Sequence, residues 1–242
     1  MGSQRIQKII ASAGLSSRRR AEQLLEQERV KVNGQIAQLG DQADPEFDEI
    51  CVDEVPVIYK PSVKVILINK PAGVITSCHD NQGRKTVLDL IPKVLRKGLH
   101  PVGRLDLFSR GAILLTNYGD LTLRLTHPRY AHEKTYLVWV KGSPSKLSLS
   151  KWRNGLILNG HLTMKTTIEL LKSHQNKSQL RIILKEGRNR QIRRIAELLG
   201  HPVVDLQRTA IANINLKRLP EGSWRKIDRS EWMPMLNSKN HL

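Results

Sequence analysis

The sequence predicts an α+β fold in two parts: a small helix–helix–hairpin module over residues 1–60, then a larger domain over 61–242 built on a mixed or antiparallel sheet. Three observations predict it. Near the N-terminus, two short stretches carry apolar residues at helical spacing, and alternation around Asn33-Gly34 follows them. Beyond residue 60 the periodic segments are mostly strand-like, with few helices between them. The charge changes at the same place. Residues 1–60 hold eight Lys or Arg against ten Asp or Glu, a net of −2, whereas residues 61–242 hold 32 against 12, a net of +20.

Ile6, Ile9, Ile10 and Ala13 fall on one helical face, and Gly14 ends that helix. Ser16 or Ser17 caps a second helix, whose buried stripe is Ala21, Leu24 and Leu25. VKVNGQIA then alternates around Asn33-Gly34, the sequence of a two-residue type I′ hairpin. The acidic stretch DPEFDEICVDE, Asp44 to Glu54, leads into VPVIYKPS and reads as a linker. In the larger part, Val65 to Ile68 read as a buried strand entering a Pro-Gly turn, with GVITS as the next strand. Thr86 and Asp89 have capping-box spacing and open a short helix through Ile91. Ala112 to Leu115 form an apolar strand, Asn117 to Gly119 turn the chain, and Asp120 caps a helix to about Thr126. EKTYLVWVKG sets Tyr136, Val138 and Val140 against Leu137 and Trp139, as a strand does. LRIILKEGRNRQIRRIAELLGHP reads as strand, Gly turn and helix, with Ile192, Ile195, Ala196 and Leu199 as the apolar stripe.

With 242 residues and 39% hydrophobic content the chain can bury a core, and its formal net charge of +18 points to a polyanion as partner. No apolar run approaches the ~18 residues of a membrane span, and no secretory signal opens the sequence. Cys51 and Cys78 cannot make a disulfide framework or a four-sulfur zinc site. A soluble, cytoplasmic protein is expected, with no membrane partner and no resident metal. The eight His are dispersed without HExxH, and neither GxxxxGK[ST] nor GxGxxG occurs, so no cofactor is expected either.

Arg18, Arg19 and Arg20 stand in the first turn of the second helix, where the helix dipole disfavours cations and free N–H groups favour an anion. A bound phosphate would resolve both. Asp106 lies between Gly103 and Gly111, after Arg104 and before a buried strand. Its position suits a carboxylate at a cleft floor, but on spacing alone a lone loop Asp is more often a turn former or surface ion pair than a catalytic group. Arg193 sits at the edge of its helix's apolar stripe, able to lean into a cleft and pair with a carboxylate, while Arg190 and Arg194 point to solvent. Tyr136 alternates with Val and could be core or a stacking platform.

The N-terminal order of elements, with SRR after an Ala-Gly turn and V-x-V-N-G at the end, resembles the RNA-binding domain named after ribosomal protein S4. Gly103-Arg104-Leu105-Asp106, Ser109, Gly111 and LLTN resemble the signature loop of RNA pseudouridine synthases. INKPAGVITS, His127-Pro128, Glu133 to Tyr136 and Arg188 to Arg193 extend the resemblance to the RsuA/RluB-type ribosomal branch. It implies an S4-like domain ahead of a pseudouridine synthase domain, and conversion of a uridine in ribosomal RNA without cofactor or metal. The implied partner is a structured stem-loop containing the target uridine, met by a monomer. It implies Asp106 as catalytic aspartate, Tyr136 as base-stacking residue and Arg193 as the aspartate's basic partner. Arg104, Lys70, Arg188 and Arg190, with Arg18 to Arg20, are the expected RNA contacts. Whether the aspartate adds covalently or takes a sugar proton stays open. A non-catalytic RNA-binding factor on the same fold could lose Asp106, Tyr136 and Arg193, and all three are present. Ala112, Tyr118 and Ala212 depart from the family pattern; Ala212 stands where Gly is expected.

Overall fold

The computed structural model describes residues 2–58 and 62–237. In the small module, helices Ile6–Ser12 and Arg18–Glu26 pack Ile6, Ile9 and Ile10 against Ala21, Leu24 and Leu25. Ser17 is the N-cap, its hydroxyl accepting from the Arg20 N–H at 3.2 Å. The hairpin strands Val30–Val32 and Gln35–Ile36 flank Asn33 and Gly34, whose φ values of 51° and 81° are those a type I′ turn requires.

The acidic stretch is not a linker. Its centre, Ile50–Val52, is a strand paired antiparallel with Val30–Val32, and Val55–Pro56 pairs with it in turn. Ile50 is buried in the module's core, while the flanking acids pair with hairpin cations: Asp53 with Arg29 and Glu54 with Lys31, both at 2.6 Å. A strand whose turns carry its charges presents an acidic composition without being a spacer. The boundary read at 60/61 falls on residues 59–61, outside the described residues.

The large domain is built on a nine-stranded sheet. Along its main path the order is Thr167–Ser173, Lys177–Leu184, Lys134–Lys141, Val203–Ile211, Arg110–Thr116, Val65–Lys70 and Trp224–Lys226. Two short strands join it: His100–Val102 beside Arg110–Thr116, and Ile214–Asn215 beside Val203–Ile211. Every pairing is antiparallel except one, where Val203–Ile211 meets Arg110–Thr116. That parallel seam joins two antiparallel halves. Strand Val65–Lys70 is buried on both faces, with Val65 and Leu67 in one apolar cluster and Ile66 and Ile68 in another, which explains its unbroken apolar run. Helices Lys146–Asn154 and Gln191–Leu198 cover the other half through Leu149, Trp152, Ile192, Ile195 and Ala196.

Several elements differ from expectation. GVITS forms no strand; only Ile75 bridges, to Thr86. The segment is bound instead to the Asp106 loop, Gly73 N–H donating to the Leu107 carbonyl at 2.8 Å and Thr76 Oγ1 to the Leu105 carbonyl at 2.9 Å. The Thr86–Asp89 box opens one 3-10 turn, Val87–Leu90. The next helix begins at Gly119 with Tyr118 as cap, leaving Asp120 in its first turn. The sequence pattern predicts no element at His100–Val102 or Lys146–Asn154, where the structure has a strand and a helix.

Candidate active site

The chain leaves strand His100–Val102, passes through Gly103 to Ser109 and re-enters the sheet at Arg110, beside the parallel seam. Gly111 makes that seam possible. Its φ is +109°, and a Cβ there would stand 2.2 Å from the Arg208 carbonyl oxygen. Across the seam Arg110 makes a two-pronged pair with Asp205, at 2.8 and 2.7 Å, and each holds the other charged.

Lys70, expected at the RNA surface, is fully buried. Its Nζ donates to the carbonyls of Pro71 at 2.9 Å, Leu107 at 3.3 Å and Ser109 at 2.7 Å. It therefore fixes the loop from beneath rather than reaching RNA. Burial pushes its ammonium down to about 8 against the pull of Asp106 and Glu221. Arg193 clamps the same loop from the other side, Nη2 donating to the Phe108 carbonyl and to Ser109 Oγ, both at 3.2 Å. Burial first, and then the Arg190 charge, lower its affinity for a proton. The expected Arg193–Asp106 pair is not formed. The nearest cation to Asp106 is Arg190, with Nη1 3.9 Å from Oδ2. The helical wheel places Arg190 in solvent. It is exposed as expected, and as the helix N-cap, with φ +50°, it also stands beside the aspartate.

A cleft of about 320 Å³ opens over the loop. Among the described residues, Asp106 is the only carboxylate that lines it, beside six cations: Arg104, Lys134, Arg188, Arg190, Arg193 and Arg208. Tyr136 forms part of its floor and is 8% exposed. Arg104 is exposed on the rim. Arg188 spends its donors on the protein, reaching Glu186 at 2.9 Å and the carbonyls of His161 and Leu162 at 3.1 and 2.6 Å. Arg18, Arg19 and Arg20 do not line the cleft; they are exposed on the small module.

Two cleft residues are not singled out by the sequence pattern. Lys134 lies two residues before Tyr136 and so on the same sheet face. Arg208 is directly opposite Tyr136 on the neighbouring strand and is 4% exposed. A signal for it is nevertheless present: in LQRTAI, Leu206, Arg208 and Ala210 alternate as buried positions, so an arginine occupies an inward slot.

An RNA pseudouridylate synthase family model matches residues 64–198, and an S4 domain model matches residues 4–50. The ribosomal large subunit pseudouridine synthase B of Bacillus subtilis (strain 168) is 39% identical over 231 residues, covering 94% of this chain and 93% of that one. The dual-specificity RNA pseudouridine synthase RluF of Escherichia coli (strain K12) is 35% identical over 229 residues, covering 94% of this chain and 76% of its own. A crystal structure of a pseudouridylate synthase superposes with a TM-score of 0.69 at 30% identity, covering 96% of this chain and 99% of that one. With its S4 domain, its mixed-sheet domain and the Asp106 loop set at the parallel seam of that sheet, the chain belongs to the RNA pseudouridine synthase family.

Proposed function

We propose that this enzyme converts one uridine of ribosomal RNA to pseudouridine, with Asp106 as the acting carboxylate and no cofactor. The observation that carries the reading is the cleft's composition, a single carboxylate, Asp106, among six cations. Isomerisation must break the uracil N1–C1′ bond, turn the base while it is held, and join C5 to C1′. One ionised carboxylate beside C1′ suffices, whether it adds to the sugar or removes a proton from it. The base must leave its stack to enter the cleft, and the Tyr136 ring that lines it supplies a face for it. Arg190 keeps a positive charge near Asp106 without a short hydrogen bond that would occupy both carboxylate oxygens. Arg104 on the rim is suited to backbone phosphates. The Bacillus subtilis relative, named for the large ribosomal subunit, supports ribosomal RNA as substrate.

The test is a pseudouridine map of ribosomal RNA from cells with the gene, without it, and with Asp106→Asn in its place. One site should vanish on deletion and stay absent with Asp106→Asn, while the purified variant binds RNA within about threefold of wild type. Pseudouridine formation by purified Asp106→Asn would remove Asp106 from the mechanism.

A further inference from the structure

Lys134 and Arg208 are two cations held in the cleft without a counter-charge. Arg208 is 4% exposed; its Nε donates to the Ala112 carbonyl at 2.7 Å, and its Nη2 is buried with no partner. Among the described residues, Lys134 Nζ donates to the His132 carbonyl alone, at 3.1 Å. Among the described residues no carboxylate pairs with either; the neighbouring Glu133 lies 3.7 Å from Lys185. Burying cations without an anion is costly unless a ligand supplies the missing partner.

Their placement is built rather than incidental. A β-bulge between Thr135 and Tyr136 makes Tyr136 face Arg208 and Lys134 face Ile211, skipping Thr209. Arg208, Ile211, Lys134 and Tyr136 thereby all line the cleft. Bulges re-aim side chains in this way next to active sites. The backbone of Arg208 is fixed again by the close approach of Gly111.

We infer that Lys134 and Arg208 bind the carbonyl oxygens of the target uracil and stabilise the anion that forms when its N1–C1′ bond breaks. This rests on the reading of the chain as a uridine isomerase. In that step the bonding electron pair stays with N1 and spreads onto the two ring carbonyls, and C1′ is left to Asp106 chemistry. The anion is consumed when C5 bonds to C1′; the C5 proton is then lost to water and N1 takes one up from water, so the product is a neutral isomer. Cations already in position when that charge develops lower the barrier without reorganising. A backbone phosphate is the lesser fit, because this pair flanks the buried Tyr136 while exposed Arg104 is available to phosphates. Burial, reinforced by the Arg208 charge, holds the Lys134 ammonium down to about 8, as expected of a cation awaiting its partner.

The experiment uses the full enzyme and a stem-loop RNA spanning the site mapped in cells, with either uridine or 5-fluorouridine at the target. Fluorine withdraws electrons, so the fluorinated base leaves with less help. Consumption of the target nucleoside is followed under single-turnover conditions by chromatography of nuclease digests. Lys134→Met should slow the uridine reaction about 100-fold and the fluorinated one by about tenfold or less. RNA affinity should stay within about threefold, and Lys134→Arg should recover most of the rate. Arg208→Lys, which keeps the charge but loses Nη2, should show the same asymmetry between substrates. Equal losses on both substrates, an unchanged rate, or weaker RNA affinity at an unchanged rate would each overturn the assignment, the last identifying a phosphate contact. Wild-type enzyme that leaves the uridine intact would overturn the isomerase reading itself, whereas active wild type with an undiminished Lys134→Met overturns this inference alone.

Discussion

At the scale of single residues, burial of cations sets the pH behaviour. Lys134 drops from an ordinary 10.5 to about 8, first through burial and then through the Arg208 charge. Between those two values the unfolded chain binds a proton that the folded one does not, so this group makes folding more favourable as pH rises from about 8 towards 10.5. Lys70 acts in the same direction over the same window. Thermal melting of Lys134→Met should therefore show no loss of Tm at pH 7 and a flatter rise between pH 8 and 10. A Tm lowered at pH 7 would mean that the lysine supports the fold. Ala212 offers a second residue-scale prediction. It adopts φ +49°, the left-handed region in which a side chain is disfavoured, at the position where the sequence pattern leads one to expect Gly. Ala212→Gly should stabilise the protein by up to about 1 kcal/mol, read by denaturant unfolding. Asp106 and Tyr136 are legible in the sequence because a motif marks the one and alternation along a strand places the other. Lys70 is not, since a lysine beside Pro71 looks the same in sequence whether it faces RNA or three carbonyls. The exchange of Arg190 for Arg193 as the aspartate's neighbour depends on one left-handed N-cap, which a helical wheel does not contain.

At the scale of elements, the seam decides the geometry of the site. Strand identity is readable from alternation in EKTYLVWVKG and from the apolar run at Val65, but strand order is not. Nothing local records that Val203–Ile211 meets Arg110–Thr116 in parallel. The same limit hides Ile50–Val52 inside an acidic stretch, because its pairing with Val30–Val32 is a long-range fact. Gly111 concentrates the seam's demand in one residue. Gly111→Ala would press a methyl against the Arg208 carbonyl, nitrogen and carbonyl carbon at 2.2, 2.7 and 2.9 Å, all backbone atoms that cannot swing aside. The expected cost is roughly 2–4 kcal/mol, a fall in Tm on the order of 10 °C, and activity should fall further because Arg110 and the Asp106 loop move with the strand. Gly160→Ala is the comparison, with φ +77° but nothing within 4 Å, so that it carries backbone strain alone. Equal losses in the two variants would mean that the seam tolerates a side chain.

At the scale of the whole molecule, the two parts use charge differently. The small module's acids are largely spent inside it, Asp53 on Arg29, Glu54 on Lys31, and Asp48 on Asn33 and the Asp44 backbone. Arg18, Arg19 and Arg20 stay exposed in the first turn of their helix; Arg20 Nη1 donates to Gln23 Oε1 at 3.1 Å, and its charge reaches Asp53 without a direct hydrogen bond. A module of net charge −2 can therefore still present a local cationic face. Part of the large domain's excess lines the cleft, six cations against Asp106 among the described residues. If the module's arginine turn contacts backbone phosphates, replacing all three by Gln should weaken RNA binding and lower the slope of log affinity against log salt by about two. Single-turnover conversion at saturating enzyme should stay near wild type, because none of the three lines the cleft. The measurement is a binding titration over several salt concentrations, paired with a rate at saturation. An unchanged slope would make the arginine turn a bystander. A lost rate at saturation would give the turn a part in chemistry that its place outside the cleft does not explain, whereas a weaker slope with an intact rate assigns binding to the module and conversion to the sheet domain.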